Sequence, residues 1–244
     1  MRALSAAELL SIWELGQLQP PAQRALALLA AACDDTSPGQ IEHWSIGRRD
    51  ERLLTLRGLA FGPRLQSVAD CPSCMQKLEL EFPIADIRVA SATEFAEEFN
   101  LCVAGHEIRF RLPNCADLNG ISAVENIANN QLRLLERCVL SARHAGREVT
   151  VDRLPAEVVS AVGQRMAEAD PQADVQLALT CPACHHHWTA ALDIVSFFWS
   201  EINAWATRLL REIHTLASAY GWSEAEVLSL SPWRRQVYLE MASQ

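Results

Sequence analysis

Two short runs, CPSC at 71–74 and CPAC at 181–184, hold the residue types in this chain best suited to chemistry. A tight turn carrying two thiolates three positions apart aims both sulfurs at one ion about 2.3 Å away, and zinc requires four ligands in a tetrahedron. One such turn supplies half a site. With Cys71 laid on Cys181, RLQSVADCPSCMQKLELEFPI meets DVQLALTCPACHHHWTAALDI, so that Leu65 falls on Val175, Gln66 on Gln176, Val68 on Ala178, Leu78 on Trp188 and Phe82 on Leu192. Both segments follow one plan of strand, Cys-Pro-x-Cys turn, strand. Two such turns facing each other about a pseudo-twofold axis complete a four-cysteine zinc ribbon with Cys71, Cys74, Cys181 and Cys184 as ligands, everything from 75 to 180 being inserted between its halves.

Other readings of the pairs are open. Two unconnected turns with reduced cysteines are the local alternative. A thioredoxin-like redox pair opens a helix in a βαβ unit, whereas both pairs here sit between strand-like runs. A catalytic zinc keeps one position for water and needs a nearby base, while four thiolates close the shell. The expectation is one structural Zn2+, with iron the alternative occupant of four thiolates. His185, His186 and His187 follow Cys184 where Met75, Gln76 and Lys77 stand in the first copy. A position that accepts Met, Gln or Lys is not a required ligand, so solvated histidines are expected. Cys33, Cys102, Cys115 and Cys138 have no paired spacing and are expected as small core residues.

No other chemistry stands out. The chain holds no GxxxxGK, no GxGxxG after a strand, no GxSxG and no HExxH. The acid pairs Asp34-Asp35 and Glu97-Glu98 read as solvated faces, and His214 as a core-edge histidine, so neither an enzyme nor a small-molecule substrate is expected. Trp199, Trp205, Trp222 and Trp233 gather in the last quarter, beside Arg234 and Arg235. These six are candidate partner-binding residues, since tryptophan and arginine are enriched at interface hot spots. The competing reading packs the tryptophans between the long helix and the ribbon.

The whole chain sets the class. It has 244 residues, half of them apolar, and a formal net charge of −9, with basic residues scattered singly or in pairs. That argues against a nucleic-acid face, whose affinity rests on neutralising phosphates. The apolar stretch around 189–220 is broken by Asp193, Glu201, Arg208, Arg211 and Glu212, too often for a membrane span. MRALSAAELLSIWEL has acids among its hydrophobic residues and does not read as a signal peptide. A cytoplasmic protein is expected, and its eight cysteines then suit metal better than disulfides.

Periodicity and punctuation place the elements. Residues 5–32 read as two helices broken at Gly16 and restarted by Pro20-Pro21, with Ser37-Pro38-Gly39 as the exit. Arg48 to Leu59 is an amphipathic helix. Alternating runs at 64–70, 77–84 and 101–112 read as strands, the last a hairpin turning at Ala104-Gly105. Helical patterns return from Leu118 to Ala128, Leu132 to Leu140 and Ala156 to Ala169, followed by a strand from Val175 to Leu179. Ile194 to Tyr220 is a long helix ended by Gly221, and a capping box from Ser223 to Glu226 and Ser231-Pro232 open two short helices. The fold class is α+β, predominantly helical. Its expected regions are an N-terminal helical region (1–63), split zinc-ribbon halves (64–88 and 173–194), an inserted hairpin and helical region (89–172) and a C-terminal helical docking region (195–244).

GRRDERLLTLR at 47–57, FGPRLQSVADCPSC at 61–74, FRLPNCADL at 110–118, EADPQADVQLALTCPAC at 168–184 and EIHTLASAYGWSEAEVLSLSPWRRQVYLE at 212–240 carry a resemblance. Together they resemble baseplate proteins of tailed phages and of phage-tail-like contractile injection systems, related to the T4-type baseplate family, over nearly the full chain. AYGWSEAEVLSLSPWRRQVYL is also similar to short helical modules of chaperone-like tail-assembly proteins. The resemblance implies a non-enzymatic protein that docks on, or helps to build, the hub and baseplate of a contractile tail, in the cytoplasm or within the assembled particle. The triple histidine departs from the Gly or polar residue that usually follows the second Cys-Pro-x-Cys, which touches only the hairpin tip. The alternative from another class is a zinc-ribbon regulator contacting nucleic acid or polymerase, which needs a basic face.

Overall fold

A computed structural model describes residues 1–89, 97–118 and 127–242. It opens with four helices, α1 (Ala6–Leu15), α2 (Pro21–Ala32), α3 (Pro38–Glu42) and α4 (Ile46–Phe61). Ser5 and Glu8 close a capping box on α1, and proline stands at the start of α2. Gly16 ends α1 in a right-handed conformation, so its small size serves packing: a Cβ there would overlap the edge of Trp199. Ser37-Pro38-Gly39 is the start of α3, capped by Ser37 and Gln40, and not an exit into a loop.

The first hairpin pairs β1 (Arg64–Asp70) with β2 (Lys77–Pro83). A second sheet follows, of β3 (Phe99–Val103), β4 (His106–Phe110), β5 (Val139–His144) and β6 (Arg147–Glu148) in that order, with α5 (Cys115–Leu118) and α6 (Ile127–Cys138) between β4 and β5. The expected hairpin turn at Ala104-Gly105 is present, both residues having positive φ. The expected helix from Leu132 to Leu140 ends at Cys138, where the chain turns into β5, a strand that sequence periodicity missed. Most of the expected helix from Leu118 to Ala128 lies outside the described residues. After β6 come α7 (Ala156–Ala169), the second hairpin of β7 (Gln176–Thr180) and β8 (His187–Ala191), and then α8 (Ile194–Tyr220), α9 (Glu224–Ser229) and α10 (Pro232–Ala242).

Among the described residues, apolar side chains form three main clusters. The largest joins α1, α2, α4 and the first half of α8, with Leu65, Phe82, Val175, Leu177 and Leu192 from the bases of both hairpins packed into it. A second lies under the four-stranded sheet, around Ile108, Phe110, Val158 and Val162. The third joins the far half of α8 to α9 and α10 through Leu209, Ile213, Leu216 and Val227. At 1.5 Å per residue α8 is about 40 Å long, enough to serve both the first and the third. Asp193 caps its start through the amides of Val195 and Ser196, and Gly221 ends it with φ +70°.

Buried charge in α4 ties these parts together. Arg57, 3 % exposed, donates to both carboxylate oxygens of Glu201 on α8 and to the carbonyls of Gly62 and Arg64 at the entry to β1. Arg49 donates to Asp50 at 2.7 Å and lies 3.7 Å from the Cys115 sulfur. The Gly47 amide donates to Asp170, which follows α7, at 2.8 Å.

Two expected results arise here. A Cβ at residue 47 would overlap the Asp170 carboxylate and lie 2.9 Å from the Ala173 nitrogen. Gly47→Ala should therefore cost about 1–3 kcal/mol by overpacking, measured as a fall in denaturation midpoint; an unchanged midpoint would contradict the contact. Burial pushes the Asp50 carboxyl up to about 6, with Arg49 opposing and Asp193 and Asp170 adding to the rise. An unfolded aspartate titrates near ~3.9, so between these values the folded chain holds the extra proton. The site's contribution is fully present below pH ~4 and is lost, by up to about 3 kcal/mol, as pH rises through the folded value. Carboxyl carbon NMR should find the Asp50 midpoint near 6; one below ~4 would contradict its burial.

Candidate metal centre

Each Cys-Pro-x-Cys turn is built in the same way. The Cys71 amide donates to the Gln76 carbonyl and the Met75 amide to the Cys71 carbonyl, both at 2.9 Å. In the second copy the Cys181 amide donates to His186 and the His185 amide to Cys181, again at 2.9 Å. Met75 and His185 occupy the left-handed region at φ +61° and +58°. Neither is glycine or asparagine, so the sequence carried no sign of that bend. The strand registers also coincide: Gln66 faces Glu81 and Asp70 faces Lys77 in one hairpin, as Gln176 faces Ala191 and Thr180 faces His187 in the other.

The two turns meet. The sulfurs of Cys71, Cys74, Cys181 and Cys184 all lie within 4.8 Å of one another. Cys71 is 3.7 Å from Cys184 and Cys74 is 3.6 Å from Cys181, so the inner cysteine of each hairpin touches the outer cysteine of the other. That exchange is the mark of a twofold relation. A disulfide would bring sulfurs to about 2.05 Å; a tetrahedron with 2.3 Å metal–sulfur bonds has edges of about 3.8 Å. The spacing fits ligands around one ion. Cys71 and Cys181 are fully buried, with Leu78, Leu80 and Trp188 packed around them, while Cys74 and Cys184 face outward.

The thiols hold their protons unequally. Backbone amides of Cys184 and Ala183 and the neighbouring thiols bring Cys181 down to about 7, against burial. At Cys74 the Gln76 amide favours the thiolate, but the thiols of Cys184, Cys181 and Cys71, with burial, push it up to about 12. Four adjacent thiolates repel one another, and a bound cation removes that penalty, so loading the site releases protons.

The other cysteines differ. Cys33, Cys115 and Cys138 are buried, as expected of core residues, whereas Cys102 is exposed on β3, because its side of that strand faces out. Burial pushes up the Cys115 thiol, and takes Cys138 up to about 12, so both stay protonated at neutral pH. His185 sits at the left-handed turn position, the His186 ring stacks 6.1 Å from Trp188, and His187 Nδ1 lies 2.9 Å from the Thr180 hydroxyl.

The six candidate partner-binding residues do not share one surface. Trp199 is in the main core, with Arg24 lying 4.6 Å over its ring, and Arg235 is buried against Glu212 at 2.9 Å. Both belong to the interior, because α8 and α10 turn those faces toward helices of this chain. Trp205 is half-buried against Phe61, and Trp222 packs between Tyr220 and Tyr238 at 4.8 and 4.9 Å. Trp233, 76 % exposed, and Arg234 face outward.

No helix among the described residues is long and apolar enough to cross a membrane. No curated protein and no solved structure matches the chain. Residues 19–199, from the approach to α2 through both hairpins into α8, match the family described as T4 bacteriophage base plate protein, while the resembling segment 212–240 lies beyond the match. A match over most of the chain is decisive for descent: the protein belongs to the T4 bacteriophage base plate protein family.

Proposed function

We propose that this protein is a non-enzymatic component of the hub or baseplate of a contractile, phage-tail-like particle, or an assembly factor for it, made in the cytoplasm and acting on other tail proteins. The family match across 19–199 carries this reading. The four-cysteine cluster supports its structural side. Cys71, Cys74, Cys181 and Cys184 hold one zinc ion and make the two hairpins a split ribbon, with four thiolates leaving no position for water or substrate. Bound there, the ion supplies a cross-link between segments more than a hundred positions apart. The inserted sheet is thereby held at both ends of its insertion, and the chain presents fixed faces to its neighbours.

Quantitative mass spectrometry of purified particles and of assembly intermediates tests this. Fixed stoichiometry in finished particles makes the protein a structural part, and presence in intermediates alone makes it an assembly factor. Absence from both would contradict the proposal.

A further inference from the structure

The inserted sheet meets the opening helices across a cleft. Backbone pairing joins them there: Asn114, just before α5, bridges to Ser45 ahead of α4, and the Ile46 amide donates to the Pro113 carbonyl at 3.1 Å. The bridge sets Asn114 opposite the residue that follows Trp44, and both Trp44 and Asn114 line a cleft of about 860 Å³. They are 8 % and 6 % exposed, yet among the described residues each keeps a side-chain N–H without an acceptor. Asn114 Oδ1 accepts from the Asp117 amide at 3.2 Å, which fixes the orientation of the side-chain amide and leaves Nδ2 over. The Trp44 ring lies 4.7 Å under the Arg48 guanidinium, a contact that does not use its Nε1. Buried donors are nearly always met, and the cleft is the side from which an acceptor can reach these two.

Charge narrows the partner. Asp35, Glu97, Glu98 and Asp170 line the cleft, with Arg48 and Arg111 as its guanidiniums. Both guanidiniums are engaged: Arg111 donates to the two carboxylate oxygens of Asp117 at 2.6 and 2.8 Å, and Arg48 stacks on Trp44 with Glu51 as a counter-charge. Asp170 accepts from the Gly47 amide, and Glu98 lies 3.6 Å from Arg109. Asp35 and Glu97 are exposed, and among the described residues no cation pairs with either. A polyanion such as nucleic acid would meet these carboxylates. A polyamine would match them and leave both N–H groups without an acceptor. An extended polypeptide supplies both parts, since its backbone carbonyls can accept from Trp44 and Asn114 while its side chains point alternately to the two sides. Lysine or arginine on such a segment would meet Asp35 and Glu97, and Phe99 and Leu112 in the lining suit apolar neighbours. The net charge of −9 favours encounter with a basic partner.

We propose that this cleft is a docking site for an extended basic segment of a neighbouring protein, whose carbonyls accept from Asn114 Nδ2 and Trp44 Nε1 and whose cationic side chains meet Asp35 and Glu97. This rests on the reading of the chain as one that acts on other proteins, and gives the chemistry of one of them.

The test uses the purified full chain and fluorescence anisotropy with a labelled peptide of alternating lysine and alanine at physiological salt, with spermine and the unlabelled peptide as competitors. Wild type should bind the peptide, and spermine should displace it less readily than unlabelled peptide does. Asp35→Asn/Glu97→Gln should lose roughly three- to tenfold in peptide affinity. Glu224→Gln/Glu240→Gln, which changes net charge equally at exposed positions of α9 and α10, should bind like wild type. Trp44→Phe, which removes the N–H and keeps a ring under Arg48, should lose about three- to tenfold. Asp35 and Glu97 are exposed, so their double variant serves if Trp44→Phe does not fold. No peptide binding by wild type, equal losses in both double variants, a folded Trp44→Phe that binds like wild type, or spermine displacing the peptide as readily as the peptide itself would overturn the proposal. The assay needs no particle, so its failure is distinct from failure of the baseplate reading.

Discussion

Cys74→Ser and Cys184→Ser should each destabilise the protein to a similar degree, and the double variant should be no less stable than either single one. Both residues face outward, so serine leaves no cavity in the core and the loss reports on the metal. Structural zinc is worth roughly 10–16 kcal/mol in isolated finger peptides. Here the hairpin bases are also held by the main core, which makes that an upper bound. The decisive quantity is the coupling. If one ion is shared, the second substitution removes a ligand from a site already broken, and the coupling energy approaches the whole single-variant loss. Two unrelated turns would give additive losses. Chemical denaturation of the four proteins, with and without a chelator, measures both, and chelation should bring wild type toward the variants.

Arg57→Ala should cost about 3–5 kcal/mol, the penalty for breaking a buried ion pair from one side. Arg57 is almost wholly buried, and its removal strands the Glu201 carboxylate and the carbonyls of Gly62 and Arg64 together. For a chain of this size the loss corresponds to a fall in Tm of about 6–20 °C. Arg57→Lys should recover little, because an ammonium cannot reproduce the planar fork that meets a carboxylate and two carbonyls. Glu201→Gln should cost less, since its amide still accepts one hydrogen bond. A thermal melt of Arg57→Ala within ~2 °C of wild type would show that the bridge carries no such weight.

The four-cysteine cluster was legible in the sequence, and the reason is local. Ligand geometry is written in a four-residue turn, and the repetition of that turn with matching flanks declared that two halves belong together. Helix ends were legible for the same reason: Ser223, Gly221 and Pro232 act within a turn of where they stand. What stayed hidden depends on distant partners. Arg57 looked like the polar side of an amphipathic helix because its counter-ion stands 144 positions away. Arg235 stood among the candidate partner-binding residues until α8 supplied Glu212. Val139 and Leu140 continued a helical pattern, yet β4 recruits them into a sheet through pairing that periodicity cannot register. Trp199 was open to a docking or a packing role, and the small Gly16 opposite it makes it a core residue.

On α4, Arg49 and Arg57 are matched within the chain by Asp50 and Glu201. The family match covers α4 and both hairpins, while the segment closing α9 and α10 over α8 lies beyond it.

X-ray absorption at the zinc edge, with metal analysis of the protein purified without added metal, tests the central claim most directly. One zinc per chain with four sulfur neighbours at about 2.3 Å is the expected result. Two ions per chain, a mixed nitrogen or oxygen shell, or a protein that folds without metal and gains no stability from zinc would contradict a single shared four-thiolate centre.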